Sequence, residues 1–185
     1  YSVIRSIDVY GRRILTDDDD LRFDHAMLLP PMVANHLVQR AGLLERDKQG
    51  HPVPWASVVP ERLCSTVDDR VYLAGDLVGT VSPVFGHYPK TAHMATSLGA
   101  IAARQIAWRH TRTQEPSAQL PHSICHVWLD AEPAEQLRID AQYRLRGDGL
   151  ITQTVTQHDN PQPRDEDLQW GMDLYAKALG AVPKT

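Results

Sequence analysis

The residue types able to hold a polar ligand fall in two short runs, Gly75-Asp76 and Pro89-Lys90-Thr91-Ala92-His93. The apolar stretch Val71-Tyr72-Leu73-Ala74 comes first and reads as a short strand, which Gly75-Asp76 ends without side-chain bulk. A carboxylate at the C-terminal edge of a strand, beside a glycine and facing a helix start, is a common place to bind such a ligand. The same dipeptide also fits a strand that closes in an Asx-type turn. Pro89 suits the first turn of a helix or the position just before it. Ala92, Ala95, Ser97, Gly99 and Ala100 keep the first half of that helix slim, and Ile101, Ala102, Gln105 and Ile106 finish it. Slender side chains let the backbone approach a flat ligand, or simply a sheet. Lys90 stands where the helix dipole disfavours a cation, so a counter-charge or an anionic ligand would rationalise it, although a lysine stem also reaches solvent.

Other reactive side chains are read more plainly. His87 and His93 flank the helix start and are candidates for a proton relay, while His36 and His126 have ordinary readings. Cys64 and Cys125 are the only cysteines and neither sits in a CxxC pair, so Cys64 reads first as a small buried hydrophobe. The nine histidines do not fall at metal-ligand spacings, and no structural metal is expected. Asp17–Asp20 places four carboxylates in a row, which repel one another and read as a solvated turn. A net charge of -4 over 185 residues, with dispersed basic side chains, argues against a nucleic-acid partner. No apolar run reaches transmembrane length, and the first residues read as a strand rather than a signal peptide. The chain opens in mid-strand and holds no GxGxxG, so it reads as a fragment, a processed chain or an engineered piece.

The elements that must position these residues follow from periodicity. Tyr1–Val9, Ile14-Leu15-Thr16 and Leu21-Arg22-Phe23 read as a small antiparallel meander. Ala26–Leu29, stopped by Pro30-Pro31, reads as a buried strand of an α/β sheet. Met32–Ala41 reads as a helix with Val33, Leu37 and Ala41 on one face, stopped by Gly42. Glu45–Pro54 reads as a surface loop and Leu77–Tyr88 as a long loop of functional type. After the polar linker Thr111–Pro121, Ser123–Leu129, Gln136–Arg146 and Leu150–Thr156 alternate as strands of a half-buried antiparallel sheet. Gly147-Asp148-Gly149 is its hairpin turn, and the last helix can cover its second face. That helix, Asp167–Leu179, carries Leu168, Met172, Tyr175 and Leu179 at helical spacing, as core or as a seam to a partner, and Gly180 ends it.

Three ordered blocks resemble the C-terminal part of the flavin-binding subunit of flavocytochrome c sulfide dehydrogenase, within the pyridine-nucleotide-disulfide reductase-like group. They are Asp24–Leu43, Val71–Asp76 followed by Pro89-Lys90 and the small-residue helix, and Ser123–Arg144. The terminal helix with Trp170 and Tyr175 also fits. The fold this resemblance implies is an α+β or α/β fragment. A partial FAD-binding layer of the two-dinucleotide-binding-domain type would span 1–115, and a small antiparallel sheet domain with a C-terminal helix 116–185. Asp76, beside Gly75, would then match the carboxylate that bonds a ribityl hydroxyl of FAD. Pro89 and Lys90 would lie at the isoalloxazine edge. The backbone of Thr91, Ala92 and His93 would place a helix dipole near the flavin pyrimidine oxygen, where reduced flavin is anionic.

The implied chemistry takes two electrons from sulfide or a related sulfur compound and passes them to a haem protein of cytochrome c type or to a quinone. Entry would be near Trp55, the Leu77–Tyr88 loop and His87; no general base is assigned. Two departures stand out. The family's redox cysteine follows the tryptophan matched by Trp55, and this chain has Ala56 there, with Cys64 out of position. The glycine-rich N-terminal half has no counterpart, so activity would need that half or a complementary subunit. The resemblance implies a periplasmic location. The competing reading is a flavin-less scaffold or interaction module, with the Leu168–Leu179 stripe as its interface.

Overall fold

The computed structural model describes residues 2–111 and 116–180. Residues 112–115 of the expected polar linker lie outside the described residues. Among the described residues the chain is a mixed α+β fold with three antiparallel sheets and three α-helices. It divides into two compact units, Tyr1–Met32 and Val33–Thr185.

The first unit is the expected meander: β1 (Ile4–Asp8), β2 (Arg13–Thr16) and β3 (Asp20–Arg22), paired in that order. Apolar cross-strand pairs Ile7–Ile14 and Ile14–Leu21 set its register. The Asp8 carboxylate ends β1 by accepting from the backbone of Tyr10 (3.1 Å) and Gly11 (2.8 Å). Asp17–Asp20 is exposed, and its charges disperse to separate partners: Arg5 takes Asp17, Ser2 takes Asp18 and Arg13 takes Asp20. The buried strand expected at Ala26–Leu29 is absent. The segment is irregular, with Met27 94% and Leu29 92% exposed. An apolar run becomes a strand only beside a ladder partner, and none pairs with it here.

In the second unit, α1 covers only His36–Arg40, not Met32–Ala41. The Asn35 side chain caps it, accepting from Leu37 N at 2.9 Å. Upstream, Ala34 N donates to Pro54 O at 2.7 Å instead of entering a helix. The buried face therefore shifts to Val38, leaving Val33 and Leu37 exposed. Gly42, at φ +71°, ends the helix as its sequence position predicts. The expected loop Glu45–Pro54 is instead a hairpin of β4 (Leu44–Arg46) and β5 (Pro52–Ala56). Its turn is held by the Asp47 carboxylate, which accepts from Gln49 N (2.9 Å) and His51 N (2.8 Å).

Val71–Ala74 does not form the expected strand. Its backbone pairs briefly with Leu63–Ser65 (Leu73 N to Leu63 O, 2.9 Å; Ser65 N to Val71 O, 2.8 Å) and makes an isolated bridge, Cys64–Tyr72. Cys64 is buried as a small hydrophobe. A 3-10 turn at Gly75–Leu77 follows, then α2 (Ala92–Thr111), which runs past the expected stop at Ile106. The last sheet matches its alternation closely: β6 (His122–Ala131), β7 (Ala134–Leu145) and β8 (Ile151–Asn160), ordered β6-β7-β8.

Ala141, Tyr143 and Ile151 of that sheet pack with Met94, Leu98, Ile101 and Ala102 of α2. Ala56, Leu63 and Val78 belong to the same core, with Val38, Leu43 and Tyr88 among its further members. The terminal helix α3 (Glu166–Leu179) ends at Gly180, φ +68°. Its stripe is not core: Leu168, Tyr175 and Leu179 are 60%, 60% and 71% exposed.

Candidate functional site

The residues singled out from sequence surround the start of α2. Thr91 is its N-cap residue: Oγ1 accepts from Met94 N at 3.2 Å, and Thr91 O accepts from Ala95 N at 2.9 Å. The N–H groups of Ala92 and His93 fall in the first turn, where a helix offers no internal acceptor. Thr91 and Ala92 are exposed, and the first turn carries no acidic side chain.

Gly75 sits directly against this helix. At φ +86° it adopts a conformation natural to glycine, and a Cβ placed on it would lie 3.3 Å from Ala95 Cβ. Asp76 is thereby held beside the first turns of α2, with its carboxylate exposed. Among the described residues no hydrogen bond reaches that carboxylate; what binds Asp76 is its backbone.

Lys90 explains how. Its ammonium donates to Asp76 O at 2.6 Å and to Val78 O at 3.1 Å, and lies 3.9 Å above the Trp55 ring centroid. The cation that opposes the helix dipole is thus turned back onto two carbonyl oxygens and an aromatic face. Burial pushes the Lys90 ammonium below the usual lysine range, and the nearby Asp76 charge partly restores it. Trp55, on β5, also meets exposed His87, with ring centroids 6.1 Å apart.

Sequence reasoning missed Glu45, read as part of a surface loop. The β4–β5 hairpin brings its Oε2 to accept from Thr80 N at 3.0 Å. Gly79 leaves it room: a Cβ there would fall 2.4 Å from Glu45 Oε2 and 2.7 Å from Ala56 O. Nothing in a run of polar residues signals a hairpin whose carboxylate reaches 35 positions along the chain.

The candidates fall into two groups at the α2 start. Gly75, Asp76, Lys90, Trp55 and His87 form one cluster. Pro89, Thr91, Ala92 and His93 line a cleft of ≈ 680 Å³ between α2, the apolar face of β6–β8 and α3. His93 Nδ1 lies 3.4 Å from Ile124 O, and its ring meets Trp170 edge-on at 5.7 Å. Trp170 also meets His126, with ring centroids 5.8 Å apart. Trp128 Nε1 donates to Asp167 Oδ2 at 3.1 Å, which fastens the start of α3 and, as the largest influence, lowers the Asp167 carboxyl.

No protein-family model matches the chain, and no curated protein matches it. Among the described residues no group of three or more His, Cys, Asp and Glu side chains is placed to hold a metal ion. No described helix is long and apolar enough to cross a membrane.

Proposed function

We propose that this chain supplies part of the cofactor site of an FAD-dependent oxidoreductase, as the sequence resemblance implies. The observation that carries the reading is the Asp76 carboxylate, exposed and without a hydrogen bond among the described residues, next to Gly75, where an added Cβ would lie 3.3 Å from Ala95 Cβ of α2, a helix with no acidic side chain in its first turn. A carboxylate acceptor and a set of backbone donors suit a ligand carrying both hydroxyl groups and developing negative charge. FAD fits that donor and acceptor set. Asp76 would accept from a ribityl hydroxyl, and the Thr91–His93 backbone would face the pyrimidine edge.

FAD, when bound, supplies two-electron redox chemistry. The chain's own residues orient and polarise. Lys90 fixes the Asp76 backbone, Gly75 allows its close approach to α2, and Trp55 with His87 forms an aromatic wall beside them. The implied reaction is oxidation of sulfide or a related sulfur compound, with electrons leaving to a cytochrome c-type haem protein or a quinone. A complementary flavin-binding half or subunit completes the site, and a periplasmic location belongs to the same reading. Ala56, where the resemblance implies a redox cysteine, leaves no disulfide route through this chain.

The test is a titration of FAD into the chain, followed by flavin fluorescence and the absorption band near ~450 nm expected of the cofactor. Saturable binding is expected, weakened on the order of 10-fold or more by Asp76→Ala, the scale of a lost charged hydrogen bond. No saturation, or equal affinity in Asp76→Ala, refutes the reading.

One observation favours a second reading. The exposed stripe Leu168–Tyr175–Leu179 suits a flavin-less interaction module that uses α3 as its interface. A colourless chain that never takes up flavin, and loses a partner on Tyr175→Glu, would favour it.

A further inference from the structure

The cleft beside α3 is built as an open slot. Its floor is the apolar face of the last sheet, at Ile139 and Val155; one wall is α2, at Ala92 and Thr96; the other is α3, at Gly171 and Ala178. The volume of ≈ 680 Å³ lies within the range of roughly 300–1,000 Å³ common to small-molecule sites. A helix with side chains is about 10–12 Å across, so this space would admit roughly 7 Å of one, under two turns. The slot is scaled for a small molecule, not for a docking helix.

Gly171 is the telling residue. A glycine in a helix interior costs about 1 kcal/mol relative to alanine. Such a cost commonly accompanies a close backbone approach, yet a Cβ at Gly171 would meet no heavy atom within 4 Å. Packing does not demand this glycine. Gly171 lines the slot, and a side chain there would have open space around its Cβ.

The lining chemistry defines the occupant. No Asp, Glu, Lys or Arg side chain lines the slot. Two polar groups along it are engaged, since Thr96 Oγ1 donates to Ala92 O at 2.9 Å and Gln153 Nε2 donates to Tyr143 OH at 3.1 Å. The Trp170 Nε1–H, by contrast, is buried without a hydrogen-bond partner among the described residues and could donate to one acceptor on an occupant. A charged group entering would lose water and find no Asp, Glu, Lys or Arg side chain to pair with.

We infer that this slot binds an uncharged, predominantly hydrocarbon small molecule between α2 and α3. The inference uses the cavity and does not rest on flavin binding, although its lining shares Thr91, Ala92 and His93 with the proposed flavin site, so the probes are titrated without FAD.

The test uses the full chain with N-phenyl-1-naphthylamine, a neutral fluorescent probe, and 1-anilinonaphthalene-8-sulfonate, a similar body bearing a sulfonate. Saturable binding of one neutral probe per chain is expected, at least ~10-fold tighter than the anionic one. Gly171→Leu should fill the slot and weaken the neutral probe at least ~10-fold, while helix propensity keeps the melting temperature at or above that of the parent. Ala178→Leu, on the same wall, reads the same loss should Gly171→Leu fail to fold. Lack of saturation, equal affinity for the anionic probe, or neutral-probe affinity within twofold of the parent in the folded wall variants overturns the inference.

Discussion

Replacing Lys90 by methionine tests how the Asp76 turn is held to α2. The substitution keeps an unbranched apolar stem over Trp55 and removes only the ammonium. Two charge-assisted hydrogen bonds disappear, to Asp76 O and to Val78 O, together with the cation over the indole. Bonds from a charged donor contribute roughly 1.5–3 kcal/mol each when shielded, and less at this half-exposed position. The cation–π contact adds about 0.5–1 kcal/mol. Relief of the buried ammonium's desolvation and the retained stem packing offset part of the loss. The net expectation is about 2 kcal/mol of destabilisation.

All four tryptophans lie in Val33–Thr185, so tryptophan fluorescence in urea follows that unit alone. With a slope of about 2 kcal/mol/M, the midpoint should fall by about 1 M at unchanged slope. A second signature follows from the titration. The folded-state value of Lys90 is lowered, so between it and the ordinary lysine value the unfolded chain binds more protons. Stability from this group therefore rises with pH through that alkaline window, and Lys90→Met should lack the rise. A midpoint within about 0.3 M of the parent would refute the clamp.

Gly75→Ala meets both a left-handed backbone and Ala95, so a loss of about 1–2 kcal/mol is expected in the same urea assay. Gly79→Ala would drive a methyl into Glu45 Oε2 and the Ala56 carbonyl, and should cost roughly 1–3 kcal/mol there. Asp140 is buried, bonded to His122 Nε2 at 2.6 Å and Arg138 at 2.9 Å; the His122 bond foremost holds its carboxyl below the usual range, against the opposing effect of burial. Its contribution is present above the ordinary carboxylate value and lost as pH falls towards the folded one, so Asp140→Asn should flatten the stability loss between about pH 4 and lower pH. Trp128→Phe removes the bond to Asp167 and should raise amide hydrogen exchange within Glu166–Leu179 by several-fold, on the order of 1 kcal/mol, with little change in α2.

The last sheet was legible because its apolar residues alternate with polar ones, although Gln136 and Asp140 of the polar face are buried as well. Alternation along Gln136–Arg146 survives in the sequence, and Ala141 and Tyr143 point inward as expected. The start of α2 was legible through Thr91, whose capping chemistry is local, whereas Pro89, expected in the first turn or just before it, lies two residues ahead of the cap. Ala26–Leu29 and Val71–Ala74 failed for a common reason: apolar character marks a segment that can pair, but the partner strand is non-local. The β4–β5 hairpin failed in the opposite sense, since Pro52 and Pro54 mask an edge strand that tolerates them. At the site, glycine and carboxylate types were readable. That Lys90 would spend its charge on carbonyls, or that Glu45 would reach Thr80, depends on packing no local pattern encodes.

Amide chemical shifts of the isotope-labelled chain during an FAD titration measure the central claim most directly. The account predicts saturable shifts concentrated at Gly75–Asp76 and at Thr91–His93, lost in Asp76→Ala. Shifts absent at saturating FAD, or confined to residues away from both segments, would contradict it.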